Sequence, residues 1–335
     1  LYLIFGALRI TRQGIVEMLY YFMRKLLAII PMLLLISVIV FVAIQFSPID
    51  PVNYLASPDM AANSQNLQAL RQLLGLNDPI YVRYIRWLGN MLHGNFGYSI
   101  VDGSSIAKLI AMKLPATFEI SFAALIISTI FGIGIGILSA IKQNTFIDYL
   151  GRIIGVVGIS IPQFFFGIIL IQFFSIKLGW LPVGGRIELG YKTWWDHVPN
   201  MILPSLALGI SMTAALLRYA RNSMLDIMSK DFIKTARSKG IPEWKVYIKH
   251  AFRNALGPTL VILAFRLPIL IGGSVMIEAV FSWPGIGAII LQGVSSSDYP
   301  VIMMTTLMIA AAMLIASFLV DLIMALLDPR IRFER

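Results

Sequence analysis

The stretch Ser229–Pro258, SKDFIKTARSKGIPEWKVYIKHAFRNALGP, is a cationic, amphipathic insertion between two long apolar runs. It reads as two short helices meeting at a glycine. Ser229 can cap the first, Phe232, Ile233 and Ala236 give it an apolar side, Gly240 supplies a left-handed C-terminal turn, and Pro242 stops the helix while suiting the first turn of the next. In the second, Trp244, Tyr247, Ile248, Ala251, Phe252 and Ala255 recur at helical spacing as a packing face, and Lys245, Lys249 and Arg253 form a separate cationic row. That row suits either lipid headgroups or a protein partner. The helix–glycine–proline–helix joint itself is more construction than a membrane charge bias requires.

Composition sets the solvent around this insertion. The chain is 58% hydrophobic and 13% charged, with a mean hydropathy of +0.81, whereas a soluble globule carries about 25% charged residues. Six segments approach or exceed the roughly 20 apolar residues that cross a bilayer as a helix: Leu26–Phe46, Phe118–Ile141, Ile153–Ile176, Met201–Tyr219, Thr259–Phe281 and Val301–Leu327. Pro162 and Pro204 interrupt the third and fourth, which argues for helices packed on one another. The net charge of +10 belongs to no soluble basic domain, so nucleic acid is not the expected partner. No cysteine is present, which removes disulfides and thiolate chemistry.

Arg9, Arg12, Arg24, Lys25, Lys142, Arg152, the block from Arg218 to Arg253, and Arg330, Arg332 and Arg335 fall on one side of this topology. The segment Ser282–Pro300 on the other side has neither Lys nor Arg. The inside-positive bias therefore predicts both termini and the cationic loop in the cytoplasm. The organisation expected is an extension over 1–17, a first helix over 18–46, an extracytoplasmic loop over 47–117, a five-helix core over 118–327 containing the cytoplasmic loop 221–257, and a tail over 328–335. Leu67, Leu70, Leu73 and Leu74 before Gly75, then Tyr81, Tyr84, Ile85 and Leu88, predict a helical cap within the long loop. Met18 opens a cationic flank and an apolar run too long for a signal peptide, so the first span should be retained.

Chemistry is sparse. The sequence contains no G-x-x-x-x-G-K-[ST] phosphate loop, and Gly132, Gly134 and Gly136 sit in an apolar span with no preceding strand, where they suit close helix packing. His93, His197 and His250 fall on two sides of the membrane and are expected at surfaces or interfaces, so neither a metal site nor a catalytic set is expected. Charges inside spans are costly and therefore informative. Arg266 is a candidate to line a path and meet a substrate carboxylate, or else to snorkel or pair with a neighbouring subunit. Glu278 lies twelve positions on, about 18 Å along the helix, and is expected to order the loop Trp283, Pro284, Gly285 as a candidate gate. Asp321 in the last span is ambiguous.

DFIKTARSKG followed by KHAFRNALGP resembles the cytoplasmic loop of membrane subunits of binding-protein-dependent ABC importers, in the dipeptide/oligopeptide/nickel form. RKLLAIIPMLLLISVIVFVAIQFSPIDPV, LGLNDPIYVRYIRWLGNMLHGNFGYS, LPATFEI, ISIPQFFFGI with LPVGGR, EAVFSWPGIG, DYPV and LLDPRIR follow in the same order, so the similarity covers nearly everything after Met18. Lys234, Thr235 and Ala236 stand where the wider superfamily has Glu-Ala-Ala, and no glutamate contact is carried over.

The resemblance implies an all-α integral membrane fold, six transmembrane helices of type I importer architecture with a helical cap between the first two. It also implies that Ser229–Gly240 docks in a cleft of an ATPase, with Asp231, Thr235, Ala236, Arg237 and Gly240 as the docking residues and Arg237 free to pair with an acidic rim. The implied partners are a homologous second permease subunit, two cytoplasmic ATPase subunits that bind ATP and Mg, and an extracytoplasmic solute-binding protein, at a bacterial or archaeal cytoplasmic membrane. Peptide is the expected cargo and a nickel or other metal chelate the alternative. A self-sufficient secondary carrier would need an internal repeat and paired acidic residues at mid-membrane, and neither is found. An intramembrane enzyme would need a buried nucleophile and base, and none is apparent.

Overall fold

The computed structural model describes residues 12–46, 52, 64–73, 75–186 and 193–327. The expectations for residues 1–11, for most of 47–63 and for the tail 328–335 lie outside these. The described residues form helices and connecting turns, with a single isolated bridge between Tyr98 and Ser105. α1 spans Arg12–Gln45, so the boundary expected at residue 17 falls inside one helix. The cap holds α2, Ser64–Leu73, and α3, Ile80–Leu92, separated by Gly75 at φ +65°. α4 is Ile106–Ile141, α5 Phe146–Ser160 and α6 Gln163–Lys177. α7 is Val198–Met228, α8 Asp231–Ser238, α9 Arg253–Val280, α10 Ile286–Ser296 and α11 Tyr299–Leu327.

Among the described residues, four helical segments are long and apolar enough to cross a membrane: Phe22–Gln45, Ile106–Ile141, Trp195–Met228 and Tyr299–Leu322. The expected third span, Ile153–Ile176, is instead two helices, α5 and α6, bent by 110°. Proline is the cause. Ile161 before Pro162 is pushed to an extended conformation, φ −83° and ψ 126°, and Pro162 itself sits at ψ 136°. Counted as one span, the pair brings the number to five. α9, at 28 residues with Pro258, Pro268 and Arg266 inside, occupies the place of the remaining expected span.

Pro204, by contrast, does not interrupt α7. The segment Trp195–Met228 has 78% of its most apolar stretch buried, against 11% for α1, so packed neighbours support a helix that continues through Pro204 despite one lost backbone bond. The buried core around α7 includes Ile120, Ala124, Leu203, Leu208, Leu216, Ile277 and Trp283. Gly132 and Gly136 of α4 face α7, and Gly134 faces open space. A Cβ at Gly136 would lie 2.7 Å from the Leu217 carbonyl and 2.8 Å from Ala220 Cβ, which explains two of the three span glycines as close-packing positions. Gly136→Leu should therefore cost about 2 kcal/mol or more through overpacking, and Gly134→Leu should not. Fluorescence-detected size-exclusion yields of the two variants in detergent check this contrast.

Two further expectations are corrected. The apolar α10 occupies the segment expected as a plain loop after residue 281; at 11 residues it is too short to cross a bilayer. His197, expected at a surface or interface, is buried at the end of the 3₁₀ turn Trp194–His197 that precedes α7.

Cap and core meet through aromatic and polar contacts. Tyr84 lies edge-on to Phe41 of α1 at 5.4 Å and its hydroxyl is 2.8 Å from Ser37 Oγ. Buried Asp298 ties the loop before α4 to the start of α11, because its carboxylate accepts from Ser99 Oγ at 2.5 Å and from the Ile100 N–H at 3.3 Å. These residues lie in the GYS and DYPV motifs, nearly 200 positions apart (|i−j| 199 for Ser99 and Asp298).

Candidate functional site: a hinged loop and a buried knot

The cationic loop is built on apolar packing. Ile233 and Ala236 of α8 are buried against Ala140 of α4, Met224 of α7, and Val246, Ala251 and Ala255 at the foot of α9. Gly240 has φ +73° with nothing within 4 Å of a Cβ position, so only the backbone conformation demands glycine there. Ser229 does not cap α8. Its hydroxyl donates to the Asp226 carbonyl at 2.8 Å, which closes the end of α7, and Lys230 occupies the cap position of α8.

The packing face of the second helix also differs from the helical-wheel reading. Val246 and Ala251 are buried, while Trp244 and Ile248 are each 61% exposed. Val246–Phe252 is a π-helical turn, in which residues five apart share a face, so the apolar stripe slips off the 3.6-residue register. Trp244, Ile248 and the adjacent Lys245 thus form an outward patch, with the Lys245 ammonium 5.3 Å from the Trp244 ring centre.

Of the expected docking residues, Asp231, Thr235, Arg237 and Gly240 are exposed, and Ala236 points into the core. Arg237 is already paired. Its Nε and Nη2 donate to the two Glu243 oxygens at 2.8 and 3.2 Å, a fork that braces α8 to the following helix across Gly240. Asp231 takes a hydrogen bond from Lys234 at 2.9 Å. The Arg237 hydrogen bonds, then that of Tyr247, hold the Glu243 carboxyl below its ordinary value of 4.5. A lowered folded value means the brace is fully present above pH 4.5 and is lost as pH falls through the depressed value. Both groups are substantially exposed, so its worth is about 0.5 kcal/mol. Carbon-13 titration of the Glu243 carboxyl should show a midpoint below 4.5 that Arg237→Ala moves upward.

At the opposite end of the core lies a buried knot. Glu278 is fully buried; Oε1 accepts from Thr117 Oγ1 at 2.7 Å and Oε2 from the Ala288 N–H at 3.2 Å. Thr117 Oγ1 in turn accepts the Ile286 N–H at 2.9 Å. The carboxylate thus caps the first turn of α10, where unpaired N–H groups and the helix dipole favour an anion. Trp283 is fully buried too, and its Nε1–H donates to the Ala116 carbonyl at 2.8 Å. Gly285 is required because a Cβ there would overlap the Glu278 carboxylate. Pro284 is half-buried in the same turn. Glu278 meets the Trp-Pro-Gly turn from inside the protein, where Gly285 packs on its carboxylate.

A strap, Leu178–Arg186, lies over this knot. The Gly185 N–H donates to the Phe281 carbonyl at 2.8 Å, and a Cβ on Gly184 would overlap that carbonyl. Arg186 Nε donates to Glu119 Oε2 at 2.8 Å. LPATFEI, LPVGGR and EAVFSWPGIG, far apart in sequence, therefore meet in one place. Arg186 and Glu119 escaped the sequence reading, although both lie in motifs that it singled out.

The remaining intramembrane charges separate. Asp321 accepts from Lys25 Nζ at 2.6 Å, which resolves it as a partner of α1 at the cationic end. Arg266 is half-buried on α9 and makes no ion pair among the described residues.

Comparison with known proteins agrees with this architecture. Residues 132–333 match the family model "Binding-protein-dependent transport system inner membrane component", and residues 18–121 match the model of its N-terminal part. The chain is 38% identical over 315 residues to the oligopeptide transport system permease protein AppB of Bacillus subtilis (strain 168), covering 93% of this chain and 99% of the relative. It is 37% identical over 317 residues to the glutathione transport system permease protein GsiC of Escherichia coli (strain K12), covering 95% and 100%. Among solved structures, an inward-facing form of the MetNI methionine ABC transporter superposes with a TM-score of 0.52 at 20% identity, covering 66% of this chain and 97% of that one. That likeness shows the fold, the helical permease architecture of type I ABC importers. With a family model across most of its length and near-full-length relatives, the chain belongs to the binding-protein-dependent transport system inner membrane components, a family of multi-pass permease subunits.

Proposed function

We propose that this chain forms half of the pathway of an ATP-driven importer of peptides, powered through α8. The observation that carries the reading is the joint at Gly240. A short helix with an exposed polar face is seated by Ile233 and Ala236 on the ends of α4, α7 and α9, and braced by Arg237 and Glu243. A push on that face is passed to three long helices at once. Such a lever suits an external motor, and ATP and Mg are bound by two partner ATPases in the cytoplasm, where the cationic loop and both termini lie. A homologous second permease completes the pathway, and an extracytoplasmic solute-binding protein delivers cargo to the end that carries the strap and the Trp283 knot.

Peptide cargo is favoured by the names of the two relatives, one an oligopeptide and one a glutathione permease. Arg266, a cation within α9, suits a peptide carboxylate. Affinity purification of the tagged chain from its native host tests the assignment. An ATPase and a second homologous permease should co-purify in stoichiometric amounts, and recovery of the chain alone under conditions that keep membrane complexes intact would refute it.

A further inference from the structure

We propose that Asp148 and Arg221 form the positioning joint that makes α5 follow the coupling helix α8; the inference rests on the importer reading above. Asp148, in the first turn of α5, is fully buried. Its carboxylate accepts four hydrogen bonds: from Ser139 Oγ of α4 at 2.6 Å, from the Asn144 N–H of the intervening turn at 3.0 Å, and from Arg221 Nε and Nη2 of α7 at 2.6 and 2.9 Å. Arg152, one turn along α5, adds an ion contact at 3.4 Å. Three helices converge on one side chain.

The location gives this knot its role. The apolar cluster beneath α8 draws residues from α4, α7, α8 and the foot of α9, and none from α5. Among the described residues α5 packs chiefly on α4 and α7, so α8 reaches it through them. Along most of its length those contacts are smooth: Gly155 and Gly158 lie against Arg218, Ala214 and Ile210 of α7, and Gly151 lies against Ser139. Glycine faces let helices approach closely but do little to fix their register. A forked guanidinium on a carboxylate does, because both hydrogen bonds require one relative orientation. Arg221 lies two turns before the end of α7, which runs into α8 through Ser229 and Lys230. α5 leads in turn, across the 110° bend, to α6 and the strap that closes on Phe281. The pair thus links the motor side to the far closure through α5.

The test uses the chain assembled with its second permease, ATPases and solute receptor in liposomes, with tritiated trialanine as cargo. Asp148→Asn and Arg221→Gln should leave ATP hydrolysis within about twofold of wild type and lower uptake per ATP hydrolysed by about tenfold, because a buried charge loses its partner. Arg221→Lys, which keeps the charge but not the fork, should fall between. A wild-type ratio of uptake to hydrolysis in all three variants, or a parallel fall of both activities, overturns the joint.

A second measurement needs no change at the pair. The chain has no cysteine, so spin labels on Val156→Cys and Lys239→Cys report the α5–α8 separation directly. The distance distribution should be the same in nucleotide-free and vanadate-trapped assemblies, and a shift between those states refutes the proposal whether or not the pair variants assemble. A wild-type assembly that shows no ATP-dependent uptake refutes the peptide-importer reading instead.

Discussion

Glu278→Ala should destabilise the folded permease by on the order of 3 kcal/mol. The carboxylate is fully buried and satisfies the Thr117 hydroxyl and the Ala288 N–H together. Removing it leaves the first turn of α10 without its anion and two buried donors, the Thr117 hydroxyl and the Ala288 N–H, without this acceptor. Gly285 packs directly on that carboxylate, and Gly287 on Val275. The consequence is specific to this end of the molecule. Trp283, held to the Ala116 carbonyl, should become solvent-accessible, so tryptophan fluorescence of the purified variant should shift to the red and its thermal midpoint should fall. An unchanged midpoint and an unshifted spectrum would show that the knot is not what holds α10 in place.

Gly240→Val should leave membrane insertion and assembly intact and separate transport from ATP hydrolysis. No atom lies within 4 Å of the added Cβ. The cost comes only from placing a β-branched residue at φ +73°, about 2 kcal/mol, which converts to roughly a thirtyfold shift against the native joint. The Arg237–Glu243 brace spans this glycine and would be pulled out of register with it. Uptake should fall by about tenfold or more, with hydrolysis retained. Gly240→Asn, which tolerates the left-handed region, should retain most uptake, and Gly240→Ala should fall between. Equal uptake across the three variants would remove the joint from the coupling path.

The features legible in the sequence were those set by local chemistry. Apolar runs marked the spans, Gly240 marked the left-handed turn, and Glu278 was singled out as an intramembrane charge beside a Trp-Pro-Gly turn, while its burial came only with the fold. What escaped depended on tertiary pairing or on a departure from ideal geometry. Asp148 and Arg221 are 73 positions apart, and Arg221 was hidden among cations already explained by the inside-positive bias. Arg237 is free to meet a partner when read alone and is paired once Glu243 folds back on it. The π-helical turn Val246–Phe252 moved Trp244 and Ile248 from the packing face to the surface, which a wheel drawn at 3.6 residues per turn cannot anticipate. Pro162 and Pro204 look alike in sequence; the buried α7 runs on through its proline, and the extended pair Ile161–Pro162 breaks the other helix.

The central claim is that force from a separate nucleotide hydrolase enters this chain through α8. Reconstitution tests it most directly: tritiated trialanine uptake is measured in ATP-loaded liposomes carrying the permease pair and receptor, with and without the ATPase subunits. The account predicts ATP-dependent accumulation only when the ATPases are present. Accumulation of peptide against a gradient by liposomes that contain this polypeptide and no ATPase would contradict it.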